Sequence, residues 1–186
     1  MPSKHTAMDN KKIQSLTSQL ETGNEVEFNA ALTVAQKSPN PAFIEPLIVR
    51  LSAEELNSPV YDTVYKTLGE IKMSAALPLF IKWLGQKEHS NIHQALLFFI
   101  WNSSLDASDN LPEITKVGLE GDFLTSFEAL TVLENLEGPF EEEFILEALL
   151  TCKTYLSNNE PERNERQNII EAIVRRLHEL EGQIQD

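Results

Sequence analysis

One cysteine in 186 residues excludes an internal disulfide and points to a reducing, cytoplasmic setting. That residue, Cys152, sits in the helical pattern "EALLTCKTYL", which favours a buried core thiol over a reactive one. Long apolar runs are lacking too. The longest, "ALLFFIW" at 95–101, is far short of the ~20 residues that cross a membrane, so no membrane insertion is expected. The opening "MPSKHTAMDNKK" carries no apolar stretch of the secretory kind, so no secretory signal is expected. Seven glycines form no phosphate-binding loop. The four histidines, His5, His89, His93 and His178, are scattered and show no metal-ligand spacing, and "DASDN" lacks the glycine and glutamate of a calcium loop. No cofactor and no catalytic constellation is expected. Strand signals are weak: there is no sustained alternation and no Asn-Gly turn.

Positive charge is missing from one region in particular. Residues 1–105 hold ten acids against nine Lys or Arg, a balance of −1, whereas residues 106–186 hold nineteen against six, a balance of −13. From Val117 to Cys152 there are nine acids and no Lys or Arg. Such a field repels phosphate backbones, so nucleic acid is not an expected partner. It is read either as a solubilising face or as one that steers a basic partner.

What is abundant is helical periodicity. "FIEPLIVRL" (43–51) and "ALPLFIKWL" (76–84) carry apolar residues at i, i+3/i+4 and i+7. Pro46, Pro78 and Pro112 stand 32 and 34 residues apart, each followed four residues later by a base, Arg50, Lys82 or Lys116. Those bases form either a ladder of solvated or paired charges or an anion site. Between them, Ala31, Val64, Leu96 and Ala129 recur at intervals of 33, 32 and 33. Four residues beyond each lie Ala35, Leu68, Ile100 and Leu133, again all apolar. One buried helix face is written four times, and its first and last copies share the letters "ALTV". A period near 33 with two helices per period is the signature of an α-solenoid. Boundary signals agree. Asn40-Pro41, Ser58-Pro59 and Gly138-Pro139 put proline at or near first helical positions, Glu141, Glu142 and Glu143 suit a first turn, and Gly85 and Gly121 suit C-terminal caps.

The segments "ALPLFIKWLGQKEHSNIHQALLFFI" and "IEPLIVRLSAEELNSPVYDTVYKTLGEI" resemble HEAT repeats: an early proline, a short turn, a second helix with apolar residues four apart, and in the latter a closing Leu68-Gly69. The resemblance implies an all-α fold, a right-handed HEAT-like or ARM-like α-solenoid of about five antiparallel helix pairs. The pairs read as 10–37, 41–72, 75–104, 110–137 and 139–182, in a single repeat domain over 1–186. Residues 1–9 are expected to be flexible, and the outer two pairs are degenerate caps. Where the family carries arginine at the second position of its second helices, this chain has Tyr61, His93 and Ser126, so the family's charge ladder is absent.

In such a solenoid the second helices line the concave side. The candidate partner-binding residues are therefore Tyr61, Tyr65, His93, Phe98, Trp101 and Glu134, with Glu141, Glu142 and Glu143 at the adjoining edge. The third second-helix, apolar almost all round, is either buried on every side or an exposed aromatic patch. The function expected is a non-catalytic scaffold that binds a protein or peptide, with a partner segment basic at one end and apolar at the other. Two alternatives stand beside it, a HEAT-like enzyme or accessory factor of the DNA-glycosylase kind and a structural subunit of a homo-oligomer; the sequence leaves the oligomeric state open.

Overall fold

The computed structural model describes residues 9–159 and 164–184, so His5 and nearly all of the expected flexible N-terminus lie outside the described residues. Ten α-helices and no strand occur among the described residues. The described residues gather into two compact units that divide between Leu68 and Gly69.

The first unit contains α1 (Asn10–Thr22), α2 (Glu25–Lys37), α3 (Ile44–Ala53) and all but the last residue of α4, which runs from Pro59 to Gly69. The link between α1 and α2 is two residues long, and Asn24 decides where the second helix starts. Its side chain accepts from the backbone N–H groups of Val26 and Glu27, while Glu27 accepts from the Asn24 N–H in return. This reciprocal box satisfies donors that a helix start otherwise leaves open. α1 packs on both α2 and α3. Arg50 of α3 donates to the Gly23 carbonyl at 2.8 Å, just past the end of α1, pairs with Glu54 at 2.5 Å and lies 5.1 Å above the Phe28 ring. A cation there suits the negative end of the α1 dipole. Arg50 is thus engaged inside its own unit.

The second unit contains α5 (Ala76–Leu84), α6 (His93–Asn102), α7 (Leu111–Glu120), α8 (Phe123–Asn135), α9 (Glu142–Asn158) and α10 (Glu165–Ile184). α5 packs on α6, α7 on α8 and α9 on α10. In addition α5, α7 and α9 pack in sequence, and so do α6, α8 and α10. Gly85 and Gly121 are the C-terminal caps of α5 and α7. The expectation for Gly138-Pro139 fails in detail: α9 starts at Glu142, with Glu141 at the capping position and Glu142 and Glu143 in the first turn. Gly138 has φ +77°, a left-handed turn conformation that delays the helix.

The eight residues of the repeated register are all buried: Ala31, Ala35, Val64, Leu68, Leu96, Ile100, Ala129 and Leu133. Residues four apart lie on one helix face, so one face per helix turns inward. α10 closes the unit with arginines. Arg166 donates to the Gly121 carbonyl at 2.8 Å and also to the Leu119 carbonyl, both at the end of α7. Arg176 donates to the carbonyls of Leu133 (3.1 Å) and Leu136 (3.4 Å) at the end of α8. In both cases a guanidinium satisfies helix-end acceptors that have no partner in their own helix.

Candidate functional site

Helix α6 is nearly apolar all round, and its two sides have different fates. His93, Ala95, Leu96, Leu97, Phe99 and Ile100 are buried, whereas Phe98 and Trp101 are only half-buried. The rings of those two meet edge to face, with centroids 5.2 Å apart and planes at 88°, the arrangement that aromatic quadrupoles prefer. The indole N–H of Trp101 donates to Glu128 Oε2 at 2.7 Å, which ties α6 to the neighbouring α8.

α8 continues the exposed surface. Asp122 caps it by accepting from the Thr125 N–H at 2.8 Å. Phe123, Leu124 and Phe127 then follow in its first two turns and remain exposed, Leu124 by 51% and Phe127 by 47%. Phe123 and Phe127 are four residues apart, and their rings stack with centroids 6.5 Å apart. The opposite face of α8 carries Ala129, Leu130, Val132 and Leu133 into the core. Two packed helices therefore leave large apolar side chains uncovered, Phe98 and Trp101 in part on α6 and Phe123, Leu124 and Phe127 more fully on α8, with Glu128 bonded to Trp101. Exposed apolar groups gathered in this way mark interaction surfaces.

Not every expected residue joins this face. His93 is buried and its Nε2–H donates to the Gln86 carbonyl at 3.1 Å; burial, with the nearby His89, holds its pKa below the ordinary value near 6.5 despite the stabilising backbone carbonyls. It props the turn before α6 and offers no surface. Tyr61 is buried too, its phenol pKa pushed up by burial and by Asp62, and its ring stacks on the half-buried Tyr65 within the first unit at 6.1 Å. Ser126, at the corresponding position of α8, is buried and donates to the carbonyl of Gly118. Glu134 is exposed and lines a small cleft with Arg175, Arg176 and Glu179, so bases stand close to its charge. Glu141, Glu142 and Glu143 are all exposed at the start of α9.

A larger cleft, of about 1060 Å³, lies along α7 and α9 and is lined by Lys116, Glu120, Tyr155 and Arg166 among others. Its cations are largely engaged: Lys87 pairs with Glu120 at 2.7 Å, and Arg166 bonds the two α7 carbonyls and the Tyr155 hydroxyl. Cys152 is buried, with its pKa raised to about 11 by desolvation, so its thiol is protonated at neutral pH and unsuited to attack. Among the described residues no three His, Cys, Asp or Glu side chains gather as a metal site would need, and no helix is long and apolar enough to cross a membrane.

Phe123, Leu124 and Phe127 were not singled out by sequence spacing, although they open a helix whose opposite face already supplies the core register. Protein-family models, curated proteins and solved structures were compared with the chain, and none of them matches it.

Proposed function

We propose that the chain is a non-catalytic interaction module of the HEAT-like kind, a right-handed α-solenoid of five antiparallel helix pairs that binds a protein or peptide through the exposed face of its second helices. The observation that carries this reading is the large apolar surface left uncovered on two packed helices, Phe98 and Trp101 half-buried on α6 and Phe123, Leu124 and Phe127 exposed on α8. Large aromatic side chains supply most of the energy at protein interfaces, and the nine acids of the base-free stretch from Val117 to Cys152 would orient a partner that brings basic groups. A non-catalytic role is supported by the state of two groups that nucleophilic chemistry recruits. Cys152 is buried and protonated, and His93 is buried with one ring nitrogen committed to a backbone carbonyl. The setting proposed is cytoplasmic, and nucleic acid is not the proposed partner, because the second unit is strongly acidic.

The test uses the native chain and the double variant Phe123→Ser/Phe127→Ser as baits in extracts of the native host. Both side chains are exposed, so the variant keeps its helical circular dichroism. A protein retained by the native chain and lost by the folded variant is the expected result. A partner retained equally by both would remove this face from the reading.

A further inference from the structure

We propose that a second surface, the leucine ridge of α9 with the cleft it shares with α10, binds a basic amphipathic helix of a partner protein. This rests on reading the chain as an interaction module, but not on the α6–α8 face. On α9, Ile145, Ala148 and Cys152 are buried and define the inward side. Leu146 and Leu150, one helical turn apart, point the other way, 47% and 62% exposed, and Leu156 follows, 41% exposed. Beside them runs a cleft of about 570 Å³ whose apolar lining includes Leu146, Leu149, Leu150, Leu156 and Val174. A largely apolar cleft between two helices, flanked by exposed leucines, is the form of site that takes the apolar edge of a third helix.

Charge selects the occupant. Glu142, Glu143 and Glu147 are exposed on the same helix, around the first half of the ridge, and the chain has no Lys or Arg from Val117 to Cys152. A second copy of this chain would bring the same acids against them. An anionic lipid surface would be repelled for the same reason. A helix with Leu-like residues at i and i+3/i+4 and Lys or Arg beside them fits on both counts. Farther along, the cleft is lined by Lys153, His178 and Glu181, the last two 3.1 Å apart, so the one lysine there is offset by a carboxylate and the exposed acids at the start of α9 carry the charge preference. The basic residues of the bound helix lie over Glu142, Glu143 and Glu147.

The experiment measures fluorescence anisotropy of a labelled synthetic Leu–Lys amphipathic peptide titrated with the full chain at low and high salt. The same peptide with Glu in place of Lys is run in parallel. Three variants accompany the native chain: Leu146→Ser/Leu150→Ser, Glu142→Gln/Glu143→Gln/Glu147→Gln, and Phe123→Ser/Phe127→Ser. The expected result is saturable binding of the basic peptide alone, weakened about tenfold or more by the leucine changes. The Gln changes flatten its salt dependence, and the phenylalanine changes leave it unaltered. No binding, equal binding of the acidic peptide, or indifference to the leucine changes overturns the proposal. Loss of binding in the phenylalanine variant alone overturns it too, while leaving the interaction-module reading intact. Light scattering that shows a dimer abolished by Leu146→Ser/Leu150→Ser would assign the ridge to a second copy instead. Co-sedimentation with phosphatidylserine vesicles lost in that variant would assign it to a membrane.

Discussion

His93 shows how one buried polar side chain makes the fold sensitive to acid. Desolvation favours the neutral imidazole, so the folded state resists protonation while the unfolded chain takes a proton near the ordinary value of 6.5. Below that value the unfolded state binds more protons, so stability falls as pH falls. His93→Gln keeps an N–H for the Gln86 carbonyl but removes the titration. Its urea midpoint is expected to drop less than that of the native chain between neutral and mildly acidic pH; parallel curves would show that His93 is not the group responsible. Apolar residues in the repeated register have a different role. Ile100 is fully buried, and Ile100→Ala removes three carbons and leaves a void among well-packed neighbours. A loss of about 2–5 kcal/mol in denaturant unfolding is expected. A loss well under 1 kcal/mol would mean that the site collapses around the smaller side chain.

Between elements, one close approach depends on a glycine. A Cβ at Gly118 on α7 would come within 2.6 Å of the Ala129 Cβ on α8 and 3.2 Å of Ile173 Cδ1 on α10. Gly118→Ala raises helix propensity by about 1 kcal/mol, yet should destabilise the protein, because overpacking of this kind costs about 1–3 kcal/mol and requires α7 and α8 to separate. Unchanged or increased stability in thermal unfolding would refute that close packing. How much could be read in advance follows from the same contacts. Apolar residues four apart identified the inward faces, because burial imposes that spacing on any helix; Val64 with Leu68 and Leu96 with Ile100 are examples. The start of α9 was misjudged, because a left-handed Gly138 and the following turn precede it and proline alone does not mark a helix start. For the candidate site, spacing singled out Phe98 and Trp101 but could not separate them from His93 and Tyr61. It reports which side of a helix is apolar, whereas a neighbouring helix decides whether that side is covered. Phe123, Phe127, Leu146 and Leu150 were missed for the same reason. Arg166 and Arg176 were missed because the carbonyls they bond lie 40 to 47 residues away in the chain.

For the whole molecule the dominant long-range term is charge. The net charge is −14, and −13 of it falls in residues 106–186. Two of the six Lys or Arg in that stretch, Arg166 and Arg176, point largely at backbone carbonyls and so neutralise few carboxylates. The described ion pairs there are modest: Lys87 reaches in from outside the stretch to Glu120, and Arg176–Glu179 and His178–Glu181 are local pairs on α10. Exposed pairs of this kind contribute about 0–1 kcal/mol each, and salt weakens them. Against them stands repulsion among many exposed carboxylates. Two unit charges about 10 Å apart in water repel by ~0.4 kcal/mol, and that repulsion acts between many pairs at once in the folded state. It is relieved when the chain unfolds and expands, so it destabilises the compact form. Screening shortens from ~30 Å at 0.01 M salt to ~10 Å at 0.1 M, which removes the distant repulsions before the close attractions. Added sodium chloride is therefore expected to stabilise this protein, by about 1 kcal/mol, or roughly 2–4 °C in a circular dichroism melt at neutral pH. Chloride is the anion to use, since sulfate would strengthen apolar burial by exclusion from the surface and mimic the effect. Lowering the charge removes part of the repulsion that salt screens: the Glu142→Gln/Glu143→Gln/Glu147→Gln variant is expected to gain less from added chloride than the native chain, although it also loses the favourable placement of Glu142 and Glu143 in the first turn of α9. A melting point that falls with chloride would mean that the few ion pairs outweigh the repulsion, and that the acidic surface is held together locally rather than strained as a whole.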